Sequence, residues 1–150
     1  MTSPSPVLAL CQALSTDTGV QALVPVGSGP YGYNIFDHEL PVGADSTMPG
    51  QGIVVRRHAG PANPTMLQLH YGRIQIVSYG QTPSLADQVY WAARAALRLI
   101  QSQLLASTYV HSCVETLAAG PSTRDPTLQW PFNISLWLVR ASDLHPPGTP

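Results

Sequence analysis

Apolar positions recur along this chain with two spacings, three to four residues in some segments and two in others. Val7, Leu8, Leu10, Cys11 and Leu14 follow the first spacing, which predicts a short helix over about 5–16. The same spacing returns in Leu85, Val89, Ala93, Ala96, Leu97, Ile100 and Leu104, with Asp87, Gln88, Arg94, Arg98 and Gln101 mainly on the opposite side. That pattern predicts a long helix over about 83–106. Its start is marked by Thr82-Pro83-Ser84, which offers a hydroxyl cap with proline at the first helical position, or Ser84 as cap with Asp87 three residues on.

The two-residue spacing marks the strands. Ile53-Val54-Val55-Arg56-Arg57-His58 runs into the turn residues Gly60-Pro61-Ala62-Asn63-Pro64, and a return strand spans Thr65 to Tyr79. In that return strand Leu67, Leu69 and Tyr71 share one parity and Ile74 and Ile76 the other, so a bulge or bend is expected near Gly72-Arg73. Tyr109–Leu117 and Trp130–Arg140 are two further strands. The last alternates Phe132, Ile134, Leu136 and Leu138 against Asn133, Ser135 and Trp137, as expected when one sheet face meets a core. Residues 20–50 are too dense in glycine and proline for long elements, and 118–126 reads as a polar loop. The expected architecture is a single α+β domain over 1–150, with about four strands in an antiparallel or mixed sheet, helices on one face, and flexible tails at 1–4 and 143–150.

A chain of 150 residues buries roughly 70% of its unfolded surface, enough for one ordinary core. Charged residues make up only 10% of it, against about 25% in typical domains. Lysine is absent, and seven arginines face eight acids for a net charge of −1. A GC-rich genome explains arginine in place of lysine but not the low total. So little charge leaves a free monomer poorly protected against association, which favours a surface covered in an assembly. With a pI near 6.5 the basic footprint of a nucleic-acid binder is missing. No apolar run is long enough for a membrane span, and Met1–Pro6 lacks the positive charge of a signal peptide, so a protein made in a cytoplasm is expected.

Catalytic motifs give no lead. Gly27-Ser28-Gly29-Pro30-Tyr31-Gly32 matches G-x-G-x-x-G, but Pro30 prevents the helix a dinucleotide site needs, so it reads as a loop. The five histidines and Asp37-His38-Glu39 lack metal-ligand spacing. Asn133-Ile134-Ser135 fits the glycosylation pattern yet falls in a strand, and Cys11 and Cys113 read as buried free thiols. No enzyme activity and no cofactor are expected.

The segment from Leu67 through Arg73-Ile74-Gln75-Ile76, Tyr79-Gly80, the capped helix start and Ala86-Asp87 resembles the tail-terminator, or tail-completion, proteins of long-tailed bacteriophages. Asp37–Pro41 followed by Gly52–Val55 is similar to their loop and first long strand, and Phe132–Leu136 to their closing strand, so the likeness covers most of 20–142. The resemblance implies a non-enzymatic virion protein. Six copies would form a ring that caps the tail tube, ends its polymerisation and joins it to the head connector or stopper protein. DNA would pass through the lumen without sequence-specific contact, and no membrane is involved. This sequence departs from that family in its low charge.

A ring covers sheet edges without open-ended growth. Loops 27–50 and 118–130 are expected to reach adjacent subunits or the tube, with Arg56, Arg57 and Arg73 pairing Asp37, Glu39 or Asp45 across subunits, and with Arg124 and Trp130 as further interface candidates. The rival readings are a neck stopper or adaptor, a tail-tube subunit, or, in another class, a monomeric ligand-binding or enzymatic α+β domain. Open-ended tubes would mark the tube subunit and a monomer the last class.

Overall fold

A computed structural model describes residues 6–27, 29–38, 51–59, 70–106, 108–117, 123–124 and 130–142. Helix α1 (Pro6–Thr16) is followed by the one-turn helix α2 (Thr18–Gln21), where Asp17 caps Val20 N–H at 3.1 Å. Strands β1 (Ile35–Asp37), β2 (Gly52–Ala59) and β3 (His70–Tyr79) precede helix α3 (Pro83–Arg98). Strands β4 (Gln101–Leu105), β5 (Thr108–Leu117), β6 (Thr123–Arg124) and β7 (Pro131–Ser142) complete the fold. The strands form one mixed sheet in the order β1-β2-β3-β7-β5-β4, with β6 also beside β7. Among the described residues only β1 and β2 run parallel. The class is α+β as expected, but among the described residues the sheet has seven strands and not about four.

Helices α1 and α3 cover one face. Val7, Leu10 and Leu14 of α1 and Val89, Ala93 and Leu97 of α3 meet Ile53, Val55, Ile74, Ile76, Trp137 and Val139 in the main core. Apolar residues surround much of α1 because it touches strands, α2 and α3 together, which is the usual setting of a helix without a polar side. Thr82 is the cap of α3, accepting Leu85 N–H at 3.2 Å, with Pro83 in the first turn.

The long helix ends earlier than its periodicity predicts. Leu99 and Ile100 turn the chain through short-range bonds to the Ala96 and Leu97 carbonyls, both 3.2 Å, and Gln101–Leu105 then pair with β5. Ile100 and Leu104 keep helical spacing, but Gln101-Ser102-Gln103 give that segment no apolar side to bury. A ladder with β5 satisfies its backbone instead. Ile100 is buried whereas Leu104 is left exposed.

The strand phases also differ from expectation. β3 pairs β7 without interruption from His70↔Ala141 to Tyr79↔Phe132, so β3 carries no bulge there. The irregularity lies on the partner strand: Arg57 pairs Ile74 while Ala59 pairs Arg73, leaving His58 as the extra residue. Residues 65–69, which the expected long return strand includes, lie outside the described residues. In β5, the register shift between Val110 and Ser112 puts Val110 in the core and Val114 on the surface, although they share parity, and a second shift follows between Glu115 and Leu117.

On β7 the helices cover the more polar-looking set, Asn133, Ser135, Trp137 and Val139, while Phe132, Ile134, Leu136 and Leu138 are half-buried on the far face. Trp137 decides this, because its large ring fills the main core and its Nε1–H donates to Ser135 Oγ at 3.0 Å. Asn133 is buried and so is not accessible to a glycan. The sheet is therefore not one-sided: Phe36, Val54, Val77 and Tyr79 form a second cluster on the far face.

Candidate assembly surfaces

Across the far face the ladder sets residue rows. Val54, Val77 and Ile134 are neighbours, and Tyr79 lies beside Phe132. Trp130 meets the Tyr79 ring edge-on at 6.4 Å between centroids, so this interface candidate packs on its own subunit while remaining partly accessible. The next rows change character. Arg56, Gln75 and Leu136 are aligned, then Arg73 and Leu138. Half-buried leucines are thus flanked by arginines, and Arg73 is exposed. Arg56 is half-buried, and its Nε has no hydrogen-bond partner among the described residues. A guanidinium is a donor only, so a surface that covered this face would need to supply acceptors.

The expected arginine–carboxylate set is only partly visible. Asp37 closes β1 half-exposed, with the His38 ring 3.9 Å away. Arg57 is exposed on β2. Arg124 lies in β6, which pairs with Pro131 of β7. Glu39 and Asp45 lie outside the described residues. No ion pair joins Arg56, Arg57 or Arg73 to Asp37 among the described residues.

A second polar site lies where α3 passes over β5. Glu115 accepts from Arg94 Nε at 3.0 Å and from the Tyr90 hydroxyl at 2.8 Å. The bond to Glu115 raises the Arg94 pKa further above its already high value. The Arg94 guanidinium also stands 5.2 Å from the centre of the Trp91 ring, over a residue that is half exposed. An open groove of about 330 Å³ is lined by Arg94, Arg98, Cys113, Val114 and Glu115. The helical spacing of the sequence places Arg94 and Arg98 together on the side opposite the apolar face. It does not reveal that β5 brings Glu115 beneath them.

Chemistry-bearing motifs resolve into structure. Gly27 N–H reaches the Gly32 carbonyl and Gly32 N–H the Gly29 carbonyl, both at 3.0 Å, with Gly32 at φ 86°, so the glycines build a tight turn that leads to a strand. Burial pushes both the Cys11 and Cys113 thiols up to about 12, and both are free. Among the described residues no three His, Cys, Asp or Glu side chains gather at a metal-binding distance. No helix among them is long and apolar enough to cross a membrane.

No protein-family model matches the chain, and no curated protein matches it. A solved structure does. A chain of the structure titled "Virion of native gene transfer agent (GTA) particle" superposes with a TM-score of 0.68 at 15% identity, over 92% of this chain and 95% of that one. The two chains share a fold over nearly their whole lengths.

Proposed function

We propose that this chain is a non-enzymatic structural subunit of a phage-like virion, six copies of which form the ring that caps the tail tube. The shared fold with a chain of a virion particle carries this reading. The likeness of residues 67–87 to tail-terminator proteins supports the narrower role, in which the ring ends tube growth and docks the tail to the head connector or stopper. Its partners are then its own copies, the tube protein and that connector, with DNA passing through the lumen and read by none of them. The low charge fits surfaces covered by neighbours.

Mass photometry of the purified chain tests the ring. Six times 16.0 kDa gives a species at 96 kDa, whereas a single 16.0 kDa species at micromolar concentration overturns the reading. Open-ended tubes would instead assign the chain to the tube itself. In a tube-assembly reaction the ring should limit tube length, and tubes of unrestricted length in its presence would remove the terminator role. Arg73→Ala, on the far sheet face, is expected to weaken ring assembly, and unchanged assembly would exclude Arg73 from the contact.

A further inference from the structure

A largely antiparallel sheet that meets a core on one face commonly turns polar residues to water on the other. The far face of this sheet does not follow that rule. Arg73, Leu138 and Val114 form one row across β3, β7 and β5. The next row holds Gln75, Leu136 and Leu117, with Arg56 at its β2 end. Leu136 and Leu138 are half-buried, and Val114 and Leu117 are 56% and 57% exposed. Four neighbouring aliphatic side chains thus reach the surface, flanked in these rows by two arginines and by no acid.

The first half of α3 has the opposite character on its outward side. Asp87, Gln88 and Trp91 are exposed there, Trp91 at 53%. Asp87 has no hydrogen-bond or ionic partner among the described residues. Nor does a cation stand one turn away from it, since Pro83, Ser84, Tyr90 and Trp91 hold those positions. Arg73 is likewise exposed and without a partner among the described residues. The spacings of the two surfaces agree. Cβ atoms one helical turn apart, as in Asp87 and Trp91, are separated by about 5–6 Å, and cross-strand neighbours such as Arg73 and Leu138 by about 5 Å.

We infer that helix α3 of a second copy packs its outward side on this patch, with the Asp87 carboxylate against Arg73 and the Trp91 ring on Leu136 and Leu138. This rests on the ring reading, and local charge complementarity selects the occupant: the rows of the patch carry only cations, and the outward side of the first half of α3 only an acid. Arg98, about 16 Å further along the helix than Asp87, then lies away from the arginines, towards β5. The sheet acquires a helix on each face, its own on one and a neighbour's on the other. Because two different surfaces meet, every copy uses both, and the contact is of the head-to-tail kind from which rings are built.

The test is a charge exchange read by mass photometry of the purified full-length chain. Arg73→Asp and Asp87→Arg should each weaken association by about tenfold or more, and Trp91→Ala by about thirtyfold. An equal mixture of the two charge-reversed chains should assemble as the wild type does, because each reversed charge then faces the other. Neither Arg73 nor Asp87 has a partner in its own subunit among the described residues, so circular dichroism and melting of both variants should be unchanged, which separates lost assembly from lost folding. Trp91 also touches Tyr90 and Arg94 of its own subunit, so the charge pair decides. Rings that tolerate both reversals would overturn the inference and leave the ring intact. Assembly lost in both and not recovered on mixing would place the two residues in separate contacts and overturn it as well. A dimer that responds to both reversals and recovers on mixing would overturn the ring and leave the helix-on-sheet contact standing. A monomer at every concentration overturns both.

Discussion

At the β1 edge of the sheet the chain closes on itself, and at the β5 edge it stops short. Asn34 N–H bonds to the Pro25 carbonyl at 2.9 Å, and the Gly27–Gly32 turn lies so close that the Gly29 backbone rests on the Ile35 carbonyl. Ile35 is buried in the main core and Phe36 in the far-face cluster, on opposite faces of a three-residue strand. At the opposite side β4 is too short to cover β5, and the exposed residues there are Val114, Thr116 and Leu117. One chain thus uses glycine to finish an edge internally where space is tight, and leaves apolar side chains exposed at the other.

The comparison breaks most sharply at Gly29. A β-carbon there would meet the carbonyl oxygens of Tyr33 and Ile35, which are backbone atoms with no room to retreat. Gly29→Val is expected to cost about 3 kcal/mol or more by urea denaturation. A loss below about 1 kcal/mol would mean that the turn is not what closes the edge.

Alkaline pH should act on both edges, since Cys11 lies under the closed one and Cys113 lines the open one. An unfolded thiol titrates near 8.5, while burial holds both folded thiols neutral up to about 12. The folded state then binds more protons than the unfolded state across that window, so stability should be level below pH 8 and fall between about 8.5 and 12. Denaturation curves for Cys113→Ala should show a shallower fall than wild type, and parallel curves would refute the assignment.

A smaller effect is expected from Glu115→Gln, about 1 kcal/mol, because Arg94 loses its ion pair at a partly exposed site while Tyr90 retains an acceptor. Smallest of all is Arg98→Glu, whose effect on the stability of the single subunit should stay within about 0.5 kcal/mol. A large loss in that variant would reveal an internal role for Arg98 and blur the contrast between the edges.

How far these features can be read from sequence depends on whether their causes are local. Thr82-Pro83 marks the start of α3 because capping involves only neighbouring residues, and the glycine cluster marks a turn for the same reason. The end of α3 is not marked, since Ile100 and Leu104 continue its period and only pairing with β5 decides against helix. The alternation of β7 is plain, but which of its faces meets the helices is settled by the volume of Trp137. The candidate arginines illustrate the same limit. Arg57 and Arg73 are exposed as an interface role requires, whereas Arg98 gains its significance from a groove wall contributed by a strand fifteen residues later.

The centre of the sheet also sets a timetable for making the protein. Tyr79 pairs with Phe132 and His70 with Ala141, so even the nearest pair of the β3–β7 ladder is separated by 53 positions in the chain. During synthesis at roughly 5–20 residues per second, β3 waits several seconds for the strand that completes its second side. Closing so long a loop is slow, and Ile74, Ile76 and Val77 remain accessible to other nascent chains meanwhile. The hazard grows with the concentration of nascent chains, so the yield should depend more steeply on expression temperature and chaperone supply than folded stability alone would suggest.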